Sequence, residues 1–252
     1  MIVKNLSFSY DDKQVLDDIS FSIQEGKVTT IMGANGCGKT TLFHLMTKNL
    51  KPDNGSIYLE NRNIERMKLK EFARKVSIVH QTNTTWSDMT VEELISYGRI
   101  PYRKMGQGQT KEDEKLIAWA MEVTGVADYK QQHIGTLSGG QRQRTWIAMA
   151  LAQNTKLLFL DEPTTYLDIR YQIEILQLIR KLNREYHITI IMVLHDMNQA
   201  IAYSDEIIGL KDGRIAVSGA PQEVLTEDSI EQLYGIKLEV ASVNGKMVVL
   251  AV

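Results

Sequence analysis

Three glycines, a lysine and two hydroxyls stand together in Gly33-Ala34-Asn35-Gly36-Cys37-Gly38-Lys39-Thr40-Thr41. Residues without a Cβ let backbone N–H groups turn inward and close around anionic oxygens. The run Val28-Thr29-Thr30-Ile31-Met32 before them reads as a strand. Thr40 to Leu50 after them reads as a helix, with Leu42, Leu45, Met46 and Leu50 on one face. A glycine loop between a strand and a helix N-terminus offers free amides and partial positive charge to a phosphate. The spacing Gly-x4-Gly-Lys-Thr is the Walker A pattern, in which Lys39 reaches the terminal phosphates of ATP and the Thr40 hydroxyl ligates Mg²⁺. No third glycine follows at the spacing a dinucleotide fingerprint requires.

A second set supplies acids. Leu157 to Leu160 is continuously apolar, as a strand covered on both faces is, and it ends in Asp161-Glu162. Such a strand delivers both carboxylates to its C-terminal edge, where open α/β sheets bind ligands. Asp161 is expected to hold Mg²⁺, through water. Glu162 is expected to polarise the attacking water, a role worth roughly 10²–10⁴-fold in rate. A third set, Leu137-Ser138-Gly139-Gly140-Gln141, precedes a helix from Arg142 to Ala152 whose Ile147, Ala150 and Leu151 share a face. Two glycines and a serine at a helix start make a second anion site, or a plain glycine turn. An ordinary phosphate-loop fold has no use for it. Cys37 has two readings: a small residue that fits, or a thiol activated by the helix N-terminus.

The elements that hold these residues follow from composition and pattern. A chain of 252 residues is one large α/β domain by length, hiding about three quarters of its unfolded surface. A net charge of −2 gives no reason to expect a nucleic-acid or lipid-headgroup surface. One cysteine excludes an internal disulfide framework and suits a reducing compartment. No run approaches the ~18 apolar residues of a membrane span, and the first residues lack a signal-peptide core. A cytoplasmic chain is expected. Ile2, Lys4, Leu6, Phe8 and Tyr10 on one side, with a similar alternation from Ile19 to Ile23, predict an antiparallel sheet with one face covered. Gly55–Leu59 and Val76–His80 read as strands. From Asn83 to Gly135 the chain reads as a mostly helical insertion. It is broken at Gly106–Thr110 and holds an amphipathic helix from Lys115 to Val123. Ile188 to Leu194 is a second continuously apolar strand, and a helix from Ile169 to Asn183 makes a βαβ unit with it. Asp212-Gly213 marks a hairpin, and Met247 to Val252 reads as a short tail.

Taken in order, these motifs resemble the ATP-binding cassette (ABC) ATPases over essentially the whole chain. The resemblance implies an α/β fold: a P-loop NTPase (RecA-like) mixed sheet core, an N-terminal antiparallel β subdomain and an inserted helical signature subdomain. It implies one domain over 1–252, with core at 1–82 and 155–252 and the helical subdomain at 83–154. It further implies a homodimer that sandwiches two ATPs head to tail. Ser138, Gly139, Gly140 and Gln141 would then contact the partner's γ-phosphate. Gln81 is similar to the Q-loop glutamine that senses metal and water. His195 resembles the switch histidine that contacts the γ-phosphate. Thr165 to Asp168 resembles the D-loop, and Tyr10 the aromatic that stacks on adenine.

Local sequences from Asp88 to Leu94, Tyr97 to Tyr102, Thr164 to Ile169, His195 to Ala200 and Val217 to Pro221 look like the iron(III)-siderophore, haem and vitamin B12 importers. The implied role is the ATP-hydrolysing subunit of a bacterial importer at the cytoplasmic face of the membrane. Another small-solute importer, or an exporter with a separate cassette, stays open. The helical segment would face the permease. Trp86, Tyr97, Ile100, Pro101 and Tyr102 would form the docking groove or pack in an ordinary core. A periplasmic or surface solute-binding protein would act only through the permease. No nucleic-acid partner is expected.

Overall fold

The N-terminal alternation folds into paired strands of irregular register. The computed structural model describes residues 1–104, 106 and 108–250. Its strands are β1 (Ile2–Tyr10), β2 (Lys13–Ser22), β3 (Val28–Met32), β4 (Asn54–Leu59), β5 (Arg62–Asn63) and β6 (Val76–Val79). They continue as β7 (Leu157–Asp161), β8 (Thr189–Val193), β9 (Glu206–Lys211), β10 (Arg214–Gly219), β11 (Glu239–Val243) and β12 (Lys246–Leu250). The helices are α1 (Lys39–Met46), α2 (Leu69–Ala73), α3 (Val91–Ser96), α4 (Lys111–Thr124) and α5 (Gly139–Ala152). Then come α6 (Ile169–Tyr186), α7 (Met197–Tyr203), α8 (Pro221–Val224) and α9 (Glu227–Tyr234). They gather into two compact units, Met1–Met67 with Thr189–Val252, and Lys68–Ile188.

In the first unit β2, β1, β4 and β5 form an antiparallel sheet in that order. Asn5 takes a left-handed φ of 46° and the register of β1 shifts between Val3 and Leu6. The bulge flips the side-chain parity. Val3, Leu6 and Phe8 are therefore buried and Ile2 exposed, and Tyr10 is exposed at the strand end, which corrects the single alternating face read from Ile2 to Tyr10. Asn5 Nδ2 donates to Asp18 Oδ1 at 2.9 Å across the distortion. The core sheet is mixed: β3 pairs parallel with β8 and with β9, and β10 runs antiparallel to β9. Every residue of β3 and β8 is buried, the threonines Thr29, Thr30 and Thr189 among them. Asp212 and Gly213 turn β9 into β10 with φ of 46° and 76°. The expected helix to Leu50 stops at Met46 instead. Lys48 is left-handed at φ 63°, and the Asn49 and Leu50 amides fold back onto the His44 carbonyl at 2.8 and 3.2 Å. The tail from Met247 is a strand as far as Leu250, paired with β11 around Asn244-Gly245; Ala251 and Val252 lie outside the described residues.

In the second unit β6 and β7 pair in parallel. The helical insertion forms α3, α4 and α5, which pack on one another. Thr90 with Glu93 caps α3, and Thr110 with Asp113 caps α4. These capping boxes satisfy first-turn amides that would otherwise be orphaned. The cap places α4 four residues ahead of the predicted start at Lys115. Gln107, inside the expected break, lies outside the described residues. Arg99 Nε donates to Asp113 Oδ1 at 2.7 Å, with both side chains buried, and its guanidinium also reaches the Ala152 carbonyl at 2.9 Å. It lies over the Tyr102 ring, 4.0 Å from the centroid. Helix α6 runs past Asn183 to Tyr186, where left-handed His187 ends it. Among the described residues no helix is long and apolar enough to cross a membrane.

Candidate functional site

The first unit carries the phosphate loop as the sequence predicts, between β3 and α1. Gly33, Gly36 and Gly38 all have positive φ, at 143°, 81° and 106°. A Cβ on Gly33 would lie 2.2 Å from the Leu210 carbonyl oxygen and 2.8 Å from Cys37 Sγ. A Cβ on Gly38 would lie 2.6 Å from Leu16 Cδ2, so both positions demand glycine sterically as well as conformationally. The loop is pinned from outside by the Gly213 amide, which donates to the Cys37 carbonyl at 3.2 Å. Gly38 caps α1 without a side chain, leaving the first-turn amides of the helix for an anion. Lys39 is buried, and its Nζ donates to the carbonyls of Gly33 at 2.9 Å and Ala34 at 3.0 Å. The ammonium is thus held over the mouth of its own loop, with its third hydrogen left for a phosphate oxygen. Asn35, Gly36 and Thr40 are exposed, while Thr41 is buried under the loop.

Of the two readings of Cys37, the structure bears out the small residue that fits and not the activated thiol. Burial pushes its pKa up, and this outweighs the nearby Lys39 charge and the hydrogen bonds from the Lys39 and Cys37 amides that pull it down. The thiol is a small buried side chain wedged against Gly33. The same unit holds Tyr10 at the end of β1, half exposed at 47% and edge-on to Phe8 with ring centroids 4.8 Å apart. A tyrosine with one face outward can stack on a base. His195 follows β8 and is exposed. The next residue, Asp196, caps α7 by accepting from the Gln199 amide at 2.8 Å.

The second unit carries the acids. Strands β6 and β7 are parallel neighbours, so residues just beyond their C-terminal ends emerge at one edge. Gln81 and Glu162 meet there although 81 positions separate them: Gln81 Nε2 donates to Glu162 Oε2 in a short hydrogen bond. The same oxygen accepts from the Thr165 hydroxyl at 3.0 Å. Glu162 itself is left-handed at φ 48°, a costly backbone for a residue with a Cβ. Asp161 stays buried at the strand end.

The pentapeptide at Leu137 forms the N-terminus of α5. Ser138 is the N-cap, accepting from the Gln141 amide at 3.3 Å, and Gln141 Oε1 accepts from the Ser138 amide at 2.9 Å. It is therefore a helix start with a capping box, and not the glycine turn that the sequence left open. The Gly139 and Gly140 amides open the helix where an anion can dock. A Cβ on Gly140 would strike the Tyr171 ring at 2.4 Å, and one on Gly139 would lie 3.4 Å from Leu167. Tyr171, which the sequence did not single out, thus explains one of the two glycines. Leu167 belongs to the Thr165–Asp168 segment, so that segment lies against the helix start. Beside it Tyr166 is left-handed at φ 64° and 90% exposed.

A cavity of about 410 Å³ is lined by Thr84, Thr85, Trp86, Met89 and Tyr97. Trp86 is 75% exposed and Ile100 54%. Pro101 and Tyr102 are only half-buried, and Tyr102 is engaged by Arg99 and Arg74. The exposed members are Trp86, Tyr97 and Ile100; Tyr102 serves packing.

Residues 16–165 match the profile of a protein family described as ABC transporter. The chain is 45% identical over 239 residues to the iron(3+)-hydroxamate import ATP-binding protein FhuC of Bacillus subtilis, covering 95% of this chain and 89% of that one. It is 42% identical over 234 residues to the ferric enterobactin transport ATP-binding protein FepC of Escherichia coli, covering 93% and 86%. The fold superposes with a TM-score of 0.75 on the dimeric structure of MJ0796, a bacterial ABC transporter cassette. The identity there is 28%, with 87% of this chain and 98% of that one covered.

Proposed function

The chain belongs to the ABC transporter family of ATP-binding ATPases, and from that premise we propose that it powers uptake of an iron(III)-siderophore through separate permease subunits. The observation that carries the catalytic half is the hydrogen bond from Gln81 to Glu162 beside buried Asp161. A water-polarising carboxylate is only useful if it is held in one orientation, and an amide and the Thr165 hydroxyl hold this one. The relatives named for iron(3+)-hydroxamate and ferric enterobactin support the solute class.

In this reading Gly33 to Thr41 wrap the phosphates, Lys39 binds the terminal ones and Tyr10 stacks on adenine. Glu162 takes a proton from water as its oxygen attacks the γ-phosphorus. The bond to the β-bridging oxygen breaks, and ADP and phosphate leave. Gln81 orients the carboxylate and the water, and His195 contacts the γ-phosphate. The residues fit Mg²⁺: the Thr40 hydroxyl, the Gln81 amide oxygen and the Asp161 carboxylate are hard oxygen donors. Among the described residues no cluster of three His, Cys, Asp or Glu side chains is gathered that would suit another metal. Bound there, Mg²⁺ neutralises charge on the phosphates.

Ser138, Gly139, Gly140 and Gln141 serve the γ-phosphate of a second copy, so the working unit is a homodimer of cassettes. The Trp86 cavity, within the helical segment 83–154, receives a cytoplasmic helix of the permease. The chain then sits at the cytoplasmic face of the membrane, and a solute-binding protein acts from the other side. The test is uptake of radioactive iron supplied as a ferric hydroxamate. Cells whose only copy carries Lys39→Ala should lose ATP-driven uptake of it. Retained uptake would remove the siderophore reading.

A further inference from the structure

The hairpin β11–β12 takes no part in the mechanism above, yet its outer edges are both tied down. Val240 and Val249 face each other across it. The main chain of Val249 turns outward and is matched by one side chain. Its amide donates to Asn198 Oδ1 at 2.8 Å, and Asn198 Nδ2 donates to its carbonyl at 3.0 Å. A carboxamide carries one donor and one acceptor side by side, so it can complete an unpaired strand residue on both counts; a carboxylate completes only the amide. On the other edge the Val240 amide points at Glu227 Oε1, 3.4 Å away. Asn198 lies in the first turn of α7, three residues after His195. Glu227 opens α9, and Tyr234 closes it. The Tyr234 hydroxyl is buried, and the Gly33 amide of the phosphate loop faces it without completing a hydrogen bond. Leu233 presses so closely on Gly209 of β9 that a Cβ there would come within 3.0 Å.

The hairpin therefore bridges two helices, one leading from the switch histidine and the other backing the phosphate loop. We propose that Asn198 is a positioning residue: it latches α7 to the C-terminal hairpin and so fixes where His195 stands when nucleotide binds. This rests on the ATPase reading above. The two hydrogen bonds to Val249 do what a neighbouring strand would do, and α7 is too short at seven residues to be held by its own ladder alone.

The test uses the full chain with Asn198→Ala, Asn198→Asp and Val249→Pro. The last deletes the outward amide donor from the other side of the latch. Amide exchange across Met197–Tyr203 should quicken about tenfold in Asn198→Ala and in Val249→Pro, and less in Asn198→Asp, which keeps one of the two bonds. The kcat for ATP should fall about fivefold at unchanged KM, with the melting temperature nearly constant. Unchanged exchange in α7 for both Asn198→Ala and Val249→Pro would overturn the latch. So would unchanged kcat, or a kcat loss that tracks a fall in melting temperature. Wild-type chain that hydrolyses no ATP would count against the ATPase reading instead, since exchange reports the latch without turnover.

Discussion

Glu162 joins a costly left-handed backbone to a carboxylate held by an amide and a hydroxyl. Such strain persists where the surroundings over-determine it. Glu162→Gln should keep nucleotide binding and lower hydrolysis by roughly 10²–10⁴-fold, read as phosphate release beside a nucleotide titration. Wild-type turnover in this variant would remove Glu162 from the chemistry. Cys37 shows how burial decides between two residue-level readings of the sequence. A helix N-terminus lowers a thiol pKa, but here desolvation is the larger effect and its sign is opposite. Maleimide at neutral pH should label native chain slowly and urea-unfolded chain quickly; rapid native labelling would contradict the burial. The pairing of Gln81 with Glu162 was legible only through the family resemblance. No local pattern says that strands whose ends lie so far apart in the chain, at Val79 and Asp161, lie side by side.

At the scale of elements, caps and turns decide where things begin and stop. Ser138→Ala should cost about 1 kcal/mol of stability through the cap of α5. Gly140→Ala should cost more, because a methyl there meets the Tyr171 ring; chemical denaturation midpoints read both. Asp113 gives a pH dependence. Burial pushes its carboxyl up, but the Arg99 hydrogen bond, the Thr110 amide and hydroxyl, and the Arg99 charge together leave it at about 2. A carboxyl whose pKa is lower folded than unfolded adds stability above the unfolded value and loses it as pH falls toward the folded one. Stability should therefore drop between about pH 4 and 2, and Asp113→Asn should flatten that limb. Asp113→Ala should cost about 3 kcal/mol near neutrality, since it strands a buried guanidinium. The strong strands were legible because their periods are local, whereas the caps at Thr110 and Ser138 start α4 and α5 earlier than the apolar periods at Lys115 and Arg142 suggest. The turn at Asn244-Gly245, with φ of 51° and 73°, carries the same hairpin signature as Asp212-Gly213. The stretch nonetheless reads as a tail, because neither β11 nor β12 alternates apolar with polar residues along its length. Asn5 was invisible for another reason: an asparagine bulge inside an alternating strand looks like one more polar position.

Across the whole molecule, the proposed pair of chains gives both sets of anion-ready groups a use. The loop from Gly33 to Thr41 and the helix start at Ser138 both present first-turn amides to which an anion can bind, and packing demands glycine at Gly33 and Gly38 in the one and at Gly140 in the other. A phosphate gripped from both sides joins two subunits, and cleaving it lets them part. The alternating closure would move the Trp86 cavity against the permease. The direct measurement is the mass in solution of the Glu162→Gln chain, by size-exclusion chromatography with light scattering, with and without Mg²⁺-ATP. The account predicts a monomer that becomes a dimer only with ATP, and no dimer when Ser138 is also changed to a bulky arginine. A chain that binds ATP to saturation and stays monomeric would contradict it.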